Sequence, residues 1–526
     1  MKRLLIATSA LTLLSACGGG GGGGGSNGGT PAIPPQISLA MASGSASVTE
    51  GRTQTDLTTT ATVTGSTSAS AVIDLQYDKA VFASVTATAG ATSGTYVVTA
   101  KTLPDLAPGD YKGNITARLC ADTACTTVQT SAAYGYDVSV KLADWQTFQR
   151  NPAHTGYVRT TLDVTKFAKA WEWAYPNSTQ YYGTGSLTTA GGNLIVTRSV
   201  TTGATGTVYA VNETTGTVKW STDIPGIAYQ GAAATGNGKV YVPAIGSSQN
   251  NAVFVFDAAT GSYQFKSIFY AQWTLPGAPT PYGDQFYLAS GTYGGQVSSH
   301  SQTSDDIKWR VMSAGGSAWG GESPAVDDLY VYYYTGRSLN VFDRSTGALQ
   351  ANIDDTLENQ YGYDYYAAPV LAAPNSVIAF SGYGSGYYSG RLITRFDTAS
   401  KTRLWRTTQG YSIQPAYAKG FIYTAKNSPP RLDVLNESDG SVAWYWVPPI
   451  ADNTFVGNII VTDNLVFAST DKAVYAIDIA TRKSVWSYPI SGELMLSPGY
   501  KLYIQPLYNG SSTTNVSSNV VAISLR

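Results

Sequence analysis

The phrase VYAVNETTGTVKW at 208–220 is written seven times along this chain, and that repetition constrains the fold more than any other feature. The other copies are VFVFDAATGSYQF (253–265), VSSHSQTSDDIKW (297–309), LNVFDRSTGALQA (339–351), ITRFDTASKTRLW (393–405), LDVLNESDGSVAW (432–444) and VYAIDIATRKSVW (474–486). Their starts lie 45, 44, 42, 54, 39 and 42 residues apart, and an eighth, VVAISLR (520–526), ends with the chain. Each position has a physical reason. The fifth is Asn212, Asp257, Asp343, Asp397, Asn436 or Asp478, side chains that close an Asx-turn on their own backbone. Gly216, Gly261, Gly347 and Gly440 fall where the hairpin needs positive φ. Trp220, Trp309, Trp405, Trp444 and Trp486 end the second strand, where a large flat side chain can wedge between adjacent sheets. The first strand of each copy is apolar on both faces, as expected of a sheet packed on both sides.

A second hairpin phrase precedes each copy, for example AAATGNGKVYVPA (232–244), ESPAVDDLYVYYY (322–334) and GNIIVTDNLVFAS (457–469). Two hairpins per period of about 45 residues give four strands per unit, the signature of a propeller blade. Residues 166–526 hold about eight such periods. The eighth copy lacks its last strand, which KFAKAWEWAYP (166–176) can supply, with Trp171 or Trp173 in the tryptophan position. The expected fold is all-β: a sandwich followed by an eight-bladed propeller whose last blade is shared by the two ends of the propeller sequence. Such closure leaves no open sheet edge. The pattern resembles the pyrroloquinoline-quinone (PQQ)-like, tryptophan-docked repeat. That family includes quinoprotein alcohol dehydrogenases and the propeller lipoprotein of the outer-membrane β-barrel assembly machinery.

The N-terminus, MKRLLIATSALTLLSAC, has two cations before an apolar run from Leu4 to Ala16, too short to span a bilayer and laid out as an export signal. Leu14-Ser15-Ala16-Cys17 resembles a bacterial lipobox, which implies lipidation at Cys17. Gly18 rather than Asp follows it, which by the same resemblance implies the outer membrane of a Gram-negative envelope, periplasmic face or cell surface. Residues 18–35 are glycine-rich and read as a tether with an r.m.s. span of about 23 Å. Residues 36–142 show short alternating runs separated by turn residues, as in an immunoglobulin-like sandwich. LAPGDYKGNITARLCADTAC resembles the penultimate hairpin of such modules in bacterial envelope proteins, which implies a spacer. Cys120 and Cys125 are expected to form a local disulfide after export, a metal site having no second Cys pair to support it. Residues 143–165 lack strand alternation and read as a junction.

The chemistry narrows the function. Charged residues make up 13% with net charge −1, and no basic run follows Lys2-Arg3, so nucleic acid is not an expected partner. No GxSxG, HExxH or Walker loop occurs. The quinoprotein resemblance implies PQQ on a tryptophan floor beneath adjacent cysteines, with Ca²⁺ held by Glu and Asn and an Asp base. The repeat region has no cysteine and no CxxCH haem segment, and Glu322, Asp364 and Glu493 read equally as turn or rim residues. His154 and His300, the only histidines, read as structural. Tyrosine-rich loops stand out: NSTQYYGTGS (177–186), QYGYDYYAAP (360–369) and SGYGSGYYSG (381–390). Tyr181, Tyr182, Tyr361, Tyr363, Tyr365, Tyr366, Tyr383, Tyr387 and Tyr388 are the candidate interaction surface, since tyrosine gives contact area at low entropic cost. Tyr332 and Tyr334 alternate within a strand and read as core. The expected function is a noncatalytic outer-membrane lipoprotein with no cofactor or metal. Its propeller would act as a scaffold for an outer-membrane or periplasmic protein partner. A PQQ-binding oxidoreductase and an envelope-glycan-binding propeller are the alternatives.

Overall fold

The computed structural model describes residues 4–5, 33–51, 54–175, 186–198, 205–246, 251–271, 277–290, 295–314, 323–355, 368–381, 390–506 and 519–526. Cys17 and the nine candidate tyrosines lie outside the described residues, as do Glu322 and Asp364. Residues 1–143 and 144–526 form two units.

In the first unit two sheets face each other. One runs in the order Gln36–Leu39, Asp56–Thr64, Thr95–Thr102, Phe82–Ala89, and the other places Val72–Gln76, Gly109–Cys120, Val128–Lys141 and Ser43–Thr49 side by side. Alternate residues point inward, as the period of a strand requires. Leu57, Ala61, Val98 and Ala100 from one sheet meet Ile73, Leu75, Ile115, Ala117, Val138 and Val140 from the other in a single core. Ser43–Thr49 pairs parallel to Val128–Lys141; the other pairings among these strands are antiparallel. Asp74 is buried on the second sheet and held by the Arg118 guanidinium and by Gln76 Nε2 at 2.6 Å.

Among the described residues the second unit shows eight successive antiparallel sheets of four strands, the second sheet gaining a short fifth. The first sheet shows the plan: Thr188–Ala190, Asn193–Arg198, Gly206–Asn212 and Val218–Ile224, paired in chain order. The quoted repeat supplies the third and fourth strands of each sheet, and the second hairpin phrase supplies the first and second. The eighth sheet is Glu493–Leu496, Lys501–Gln505 and Asn519–Ser524, completed by Ala168–Ala174. In that pairing Trp171 faces Ala522 and Trp173 faces Val520. Of the two tryptophans, Trp171 takes the repeat position, while Trp173 packs inside against Tyr175 and Tyr209.

Adjacent sheets are joined by the tryptophan and the glycine of successive copies. The indole Nε1–H of Trp171 donates to the Glu213 carbonyl of the next sheet at 3.0 Å. Trp220 donates to Ala258 (3.1 Å), Trp309 to Arg344 (2.9 Å) and Trp405 to Glu437 (2.9 Å) in the same way. Each indole lies flat on the glycine of that next turn. A Cβ on Gly347, where φ is +74°, would stand 2.7 Å from Trp309 Cδ2. Gly216, Gly261 and Gly440 stand in the same relation to Trp171, Trp220 and Trp405. The glycine thus serves twice, by its left-handed backbone and by leaving room for a ring. Where the copy lacks the glycine, as at Asp305 and Lys401, the preceding sheet carries Phe265 and Ala351 in place of tryptophan.

The structure adds a device that the repeat did not announce. In all eight sheets the pairing of the last strand slips at the residue before the tryptophan position, at Ala170, Lys219, Gln264, Lys308, Gln350, Leu404, Ala443 and Val485. A β-bulge there raises the local twist and re-aims the following side chain, here toward the next sheet. One turn also differs from expectation. Asn212, Asp257, Asp343, Asp397 and Asp478 each accept from backbone N–H groups two or three residues on. Asn436 instead donates to Ser441 Oγ, because Asp439 has captured the Ser441 N–H and hydroxyl.

Candidate functional site

Of residues 143–165, read from sequence as a junction, all but Ala143 belong structurally to the second unit, and they run along the innermost strands of seven sheets in turn. The Trp145 carbonyl accepts from Thr189 N (3.0 Å), Gln146 from Thr235 N (2.7 Å), Pro152 from Val326 N (2.8 Å) and Ala153 from Leu371 N (2.9 Å). Thr155 accepts from Tyr417 N (2.8 Å) and Gly156 from Val461 N (2.9 Å), while Thr147 Oγ1 donates to the Pro279 carbonyl (2.7 Å). The segment curls to follow the strands through left-handed residues at Gln149, Arg150, His154 and Gly156. Between it and the seam of the first and eighth sheets, a cavity of about 10 Å³ is lined by Phe148, Gln149, Ser186, Glu493 and Gln505. That is room for about one water molecule. Glu493 lines it, half-buried, and accepts from Ser186 Oγ at 2.6 Å; burial pushes its carboxyl pKa up. So small a space, with no cysteine beside it, does not fit the Ca²⁺–PQQ constellation.

His154 sits in this segment fully buried, with Nδ1 3.0 Å from the Pro369 carbonyl, and burial lowers its pKa to about 4. His300 lies in the third sheet, stacked on Phe286 and bonded through Nδ1 to Ser267 Oγ (2.7 Å) and through Nε2 to Ser298 Oγ (2.8 Å). Burial lowers its pKa to about 3. His154 in the 144–165 segment and His300 in the third sheet have different partners and form no dyad.

The other perturbed acid, Glu213, lies at the seam where the first sheet meets the eighth. Burial pushes its pKa up to about 7, and the nearby Asp144 charge adds to that, against bonds from Ser497 and Gly499. Because its folded pKa is raised, its contribution to stability is complete below the ordinary carboxyl pKa and is lost as pH rises through about 7. Glu213→Gln should therefore stabilise the protein at pH 8 by about 1–3 kcal/mol. At pH 4 it should change little, which chemical denaturation at the two pH values would read.

The three tyrosine-rich segments are known here through the strands that carry them. Residues 356–367 join Leu349–Asp354 to Val370–Leu371, and 382–389 join Ser376–Ser381 to Leu392–Asp397. The register sets Asp354 opposite Ser338, Val370 opposite Ile378 and Ser381 opposite Leu392. Both segments thus leave from the end of the sheets opposite the Asx-turns. Residues 176–185 leave from that end too, between Ala174, which pairs with Asn519, and Thr188. The roots are well held. Asp355, buried at 1% exposure, receives Arg406, Arg403 Nη1 (3.1 Å) and Tyr334 Oη (2.7 Å). The Ala368 carbonyl receives Gln414 Nε2 (2.8 Å). Arg391 and the buried Tyr411 exchange both backbone bonds at 2.7 Å, and the Arg391 guanidinium lies 5.3 Å above the Phe380 ring. Sequence reading missed these anchors, since Asp355, Arg406 and Tyr411 stand in no motif. Tyr332 and Tyr334 are buried in the fourth sheet, as core.

In the first unit Cys120 and Cys125 are joined by a disulfide. They also lie with Asp74 in the one group of three potential metal ligands among the described residues, and the bond takes up both sulfurs.

A family model described as "Outer membrane protein assembly factor BamB" matches residues 204–446. Among solved structures, the crystal structure of BamB from Moraxella catarrhalis superposes with a TM-score of 0.51 at 12% identity, covering 68% of this chain and 99% of that one. No curated protein sequence matches. At that identity the structural likeness speaks for the fold, and it agrees with the family match and with the tryptophan-docked sheets above. The repeat region of this chain is a PQQ-like β-propeller that resembles the propeller of BamB.

Proposed function

We propose that this protein is a noncatalytic, lipid-anchored scaffold of the Gram-negative outer membrane, whose propeller holds a protein partner in envelope or outer-membrane protein assembly. The observation that carries this reading is that the strands flanking the three tyrosine-rich segments end at one end of the sheets, with the flanks of 356–367 and 382–389 pinned by Asp355 and Tyr411. A rigid base under aromatic, sparsely charged loops suits a protein interface, where a few aromatic anchors supply most of the affinity. The printed description of the matching family, an outer membrane protein assembly factor, supports the choice of partner class. The misfit of Glu493 and its surroundings to a quinone site supports the noncatalytic reading.

The test is capture of the lipidated protein from its own membranes, with a photo-cross-linker at Tyr363, Tyr365 or Tyr387. An outer-membrane or periplasmic protein should be cross-linked. The triple variant Tyr363→Ala, Tyr365→Ala, Tyr387→Ala should recover at least about tenfold less of it with an unchanged melting temperature. Undiminished capture by the triple variant would remove this surface from the reading. Retention of a polysaccharide rather than a protein would turn it to the glycan alternative.

A further inference from the structure

The eighth sheet is the one that both ends of the propeller sequence build, and Glu213 of the first sheet touches both of those ends. Its N–H is fixed in its own sheet by the Gly192 carbonyl at 3.1 Å. Its carbonyl accepts from Trp171 Nε1 at 3.0 Å, which holds Ala168–Ala174, the strand from the N-terminal end. Its side chain reaches the turn between Glu493–Leu496 and Lys501–Gln505, from the C-terminal end, and accepts there from the Ser497 hydroxyl and the Gly499 N–H. The fit is close: a Cβ on Gly499 would stand 2.5 Å from Glu213 Oε2. Glu213 is 5% exposed, and its Oε1 has no hydrogen-bond partner among the described residues.

Other copies make the same contact differently. The sixth residue of the copy is Gln302 in the third sheet and Glu437 in the sixth. Gln302 uses a neutral amide, whose Oε1 accepts from Tyr241 Oη and Asn237 Nδ2 of the second sheet, both at 2.9 Å. Glu437 uses an ion pair, with Arg395 of the fifth sheet at 3.5 Å and a bond from Tyr417 Oη at 2.6 Å. Glu213 has no cation in such contact among the described residues. The 144–165 segment sets Asp144, a like charge, toward it. Lys501 of the eighth sheet acts on it only weakly, its Nζ being bonded to Ser524 Oγ at 3.1 Å. On Ala168–Ala174, Lys169 and Glu172 pair with each other at 2.6 Å. The remaining titratable neighbour, Tyr503, is a buried phenol kept neutral. A carboxylate here is thus desolvated, bonded through one oxygen and set beside a second acid, which is the costly arrangement for a buried charge. We infer that Glu213 is a pH-sensitive latch on the closure of the propeller: as the neutral acid it ties the two ends together, and its ionisation frees the eighth sheet from the first. Burial above all, with the Asp144 charge, puts its pKa at about 7, so the latch is set below that pH and released above it. The device stands independently of the scaffold reading.

The test is hydrogen–deuterium exchange of the full chain at pH 6 and pH 8, corrected for the intrinsic rates of the amides. The carboxyl pKa moves from about 7 in the closed seam to its ordinary 4.5 in the open one. Opening of Ala168–Ala174 and Asn519–Ser524 should therefore rise about tenfold between the two pH values. Glu213→Gln puts the Gln302 arrangement at this seam. The rise should vanish in that variant, and at pH 8 these strands should exchange more slowly than in the wild type, while the third and fourth sheets exchange alike. Gly499→Ala displaces the carboxyl from the turn without removing it. Its closing strands should open faster than those of the wild type already at pH 6, with a smaller rise toward pH 8. The wild-type comparison decides even where a variant fails to fold, since its rise must be confined to the closing seam. No rise in the wild type, an equal rise in Glu213→Gln, or a rise spread evenly over all eight sheets would each overturn the latch.

Discussion

Trp309→Ala should lower the stability of the propeller by about 3–5 kcal/mol, among the largest single-residue effects available in this chain. The ring is 8% exposed, lies on Gly347 and spans the third and fourth sheets, and its N–H holds the Arg344 carbonyl at 2.9 Å. Truncation removes the apolar burial, opens a cavity between two sheets and leaves that carbonyl without its donor. Sheet stacking is the long-range order of this fold, so the loss falls on its cooperativity as well as on one contact. Denaturant titration should show a lower midpoint. Trp444→Ala should cost less by about 1 kcal/mol, the worth of one hydrogen bond, because that ring is equally buried but donates no bond to the next sheet among the described residues. Equal costs at the two positions would show that the indole hydrogen bond does not matter.

Acidification should destabilise the protein through its two histidines. Both are buried, and both titrate in the folded state far below the ordinary imidazole value, at about 4 for His154 and about 3 for His300. A depressed folded pKa means that the unfolded chain takes up protons first. The contribution of each histidine is complete above the unfolded pKa of about 6.5, and it is lost as pH falls toward the folded value. The combined loss at pH 4 is of the order of several kcal/mol. His154 would have to charge in a fully buried place where only the Pro369 carbonyl favours the charged ring, and His300 between two serine hydroxyls beneath Phe286. The double variant His154→Asn, His300→Val should shift the midpoint of acid unfolding down by roughly one pH unit relative to its own stability at neutral pH. An unchanged midpoint would mean that carboxylates, and not these rings, set the acid limit. Glu213 works in the opposite sense, losing its contribution as pH rises through about 7, so the two effects separate in a full pH series.

The candidate surface was partly legible. Tyrosine clustering is a property of composition and was read from the chain directly. Their common origin was not, because it depends on which strand ends share an edge. The anchors below them were invisible for the same reason: Asp355 meets Arg403 and Arg406 across about 50 residues, and neither arginine has a periodic position that marks it.

What the sequence determined alone was the repeating part. The Asx residue, the glycine and the tryptophan act through local backbone geometry and ring size, and these leave a mark at a fixed period. Phe265 and Ala351 stand before Asp305 and Lys401, so ring and glycine are lost together at two of the three copies without the glycine; Trp444 before Arg482 is the exception. Tertiary structure decided what local chemistry cannot carry. The 144–165 segment is held chiefly by backbone carbonyls, which every residue possesses, so no pattern of side chains distinguishes a connector from a strap along seven sheets. The bulge before each tryptophan belongs to the pairing of two strands and has no residue type of its own.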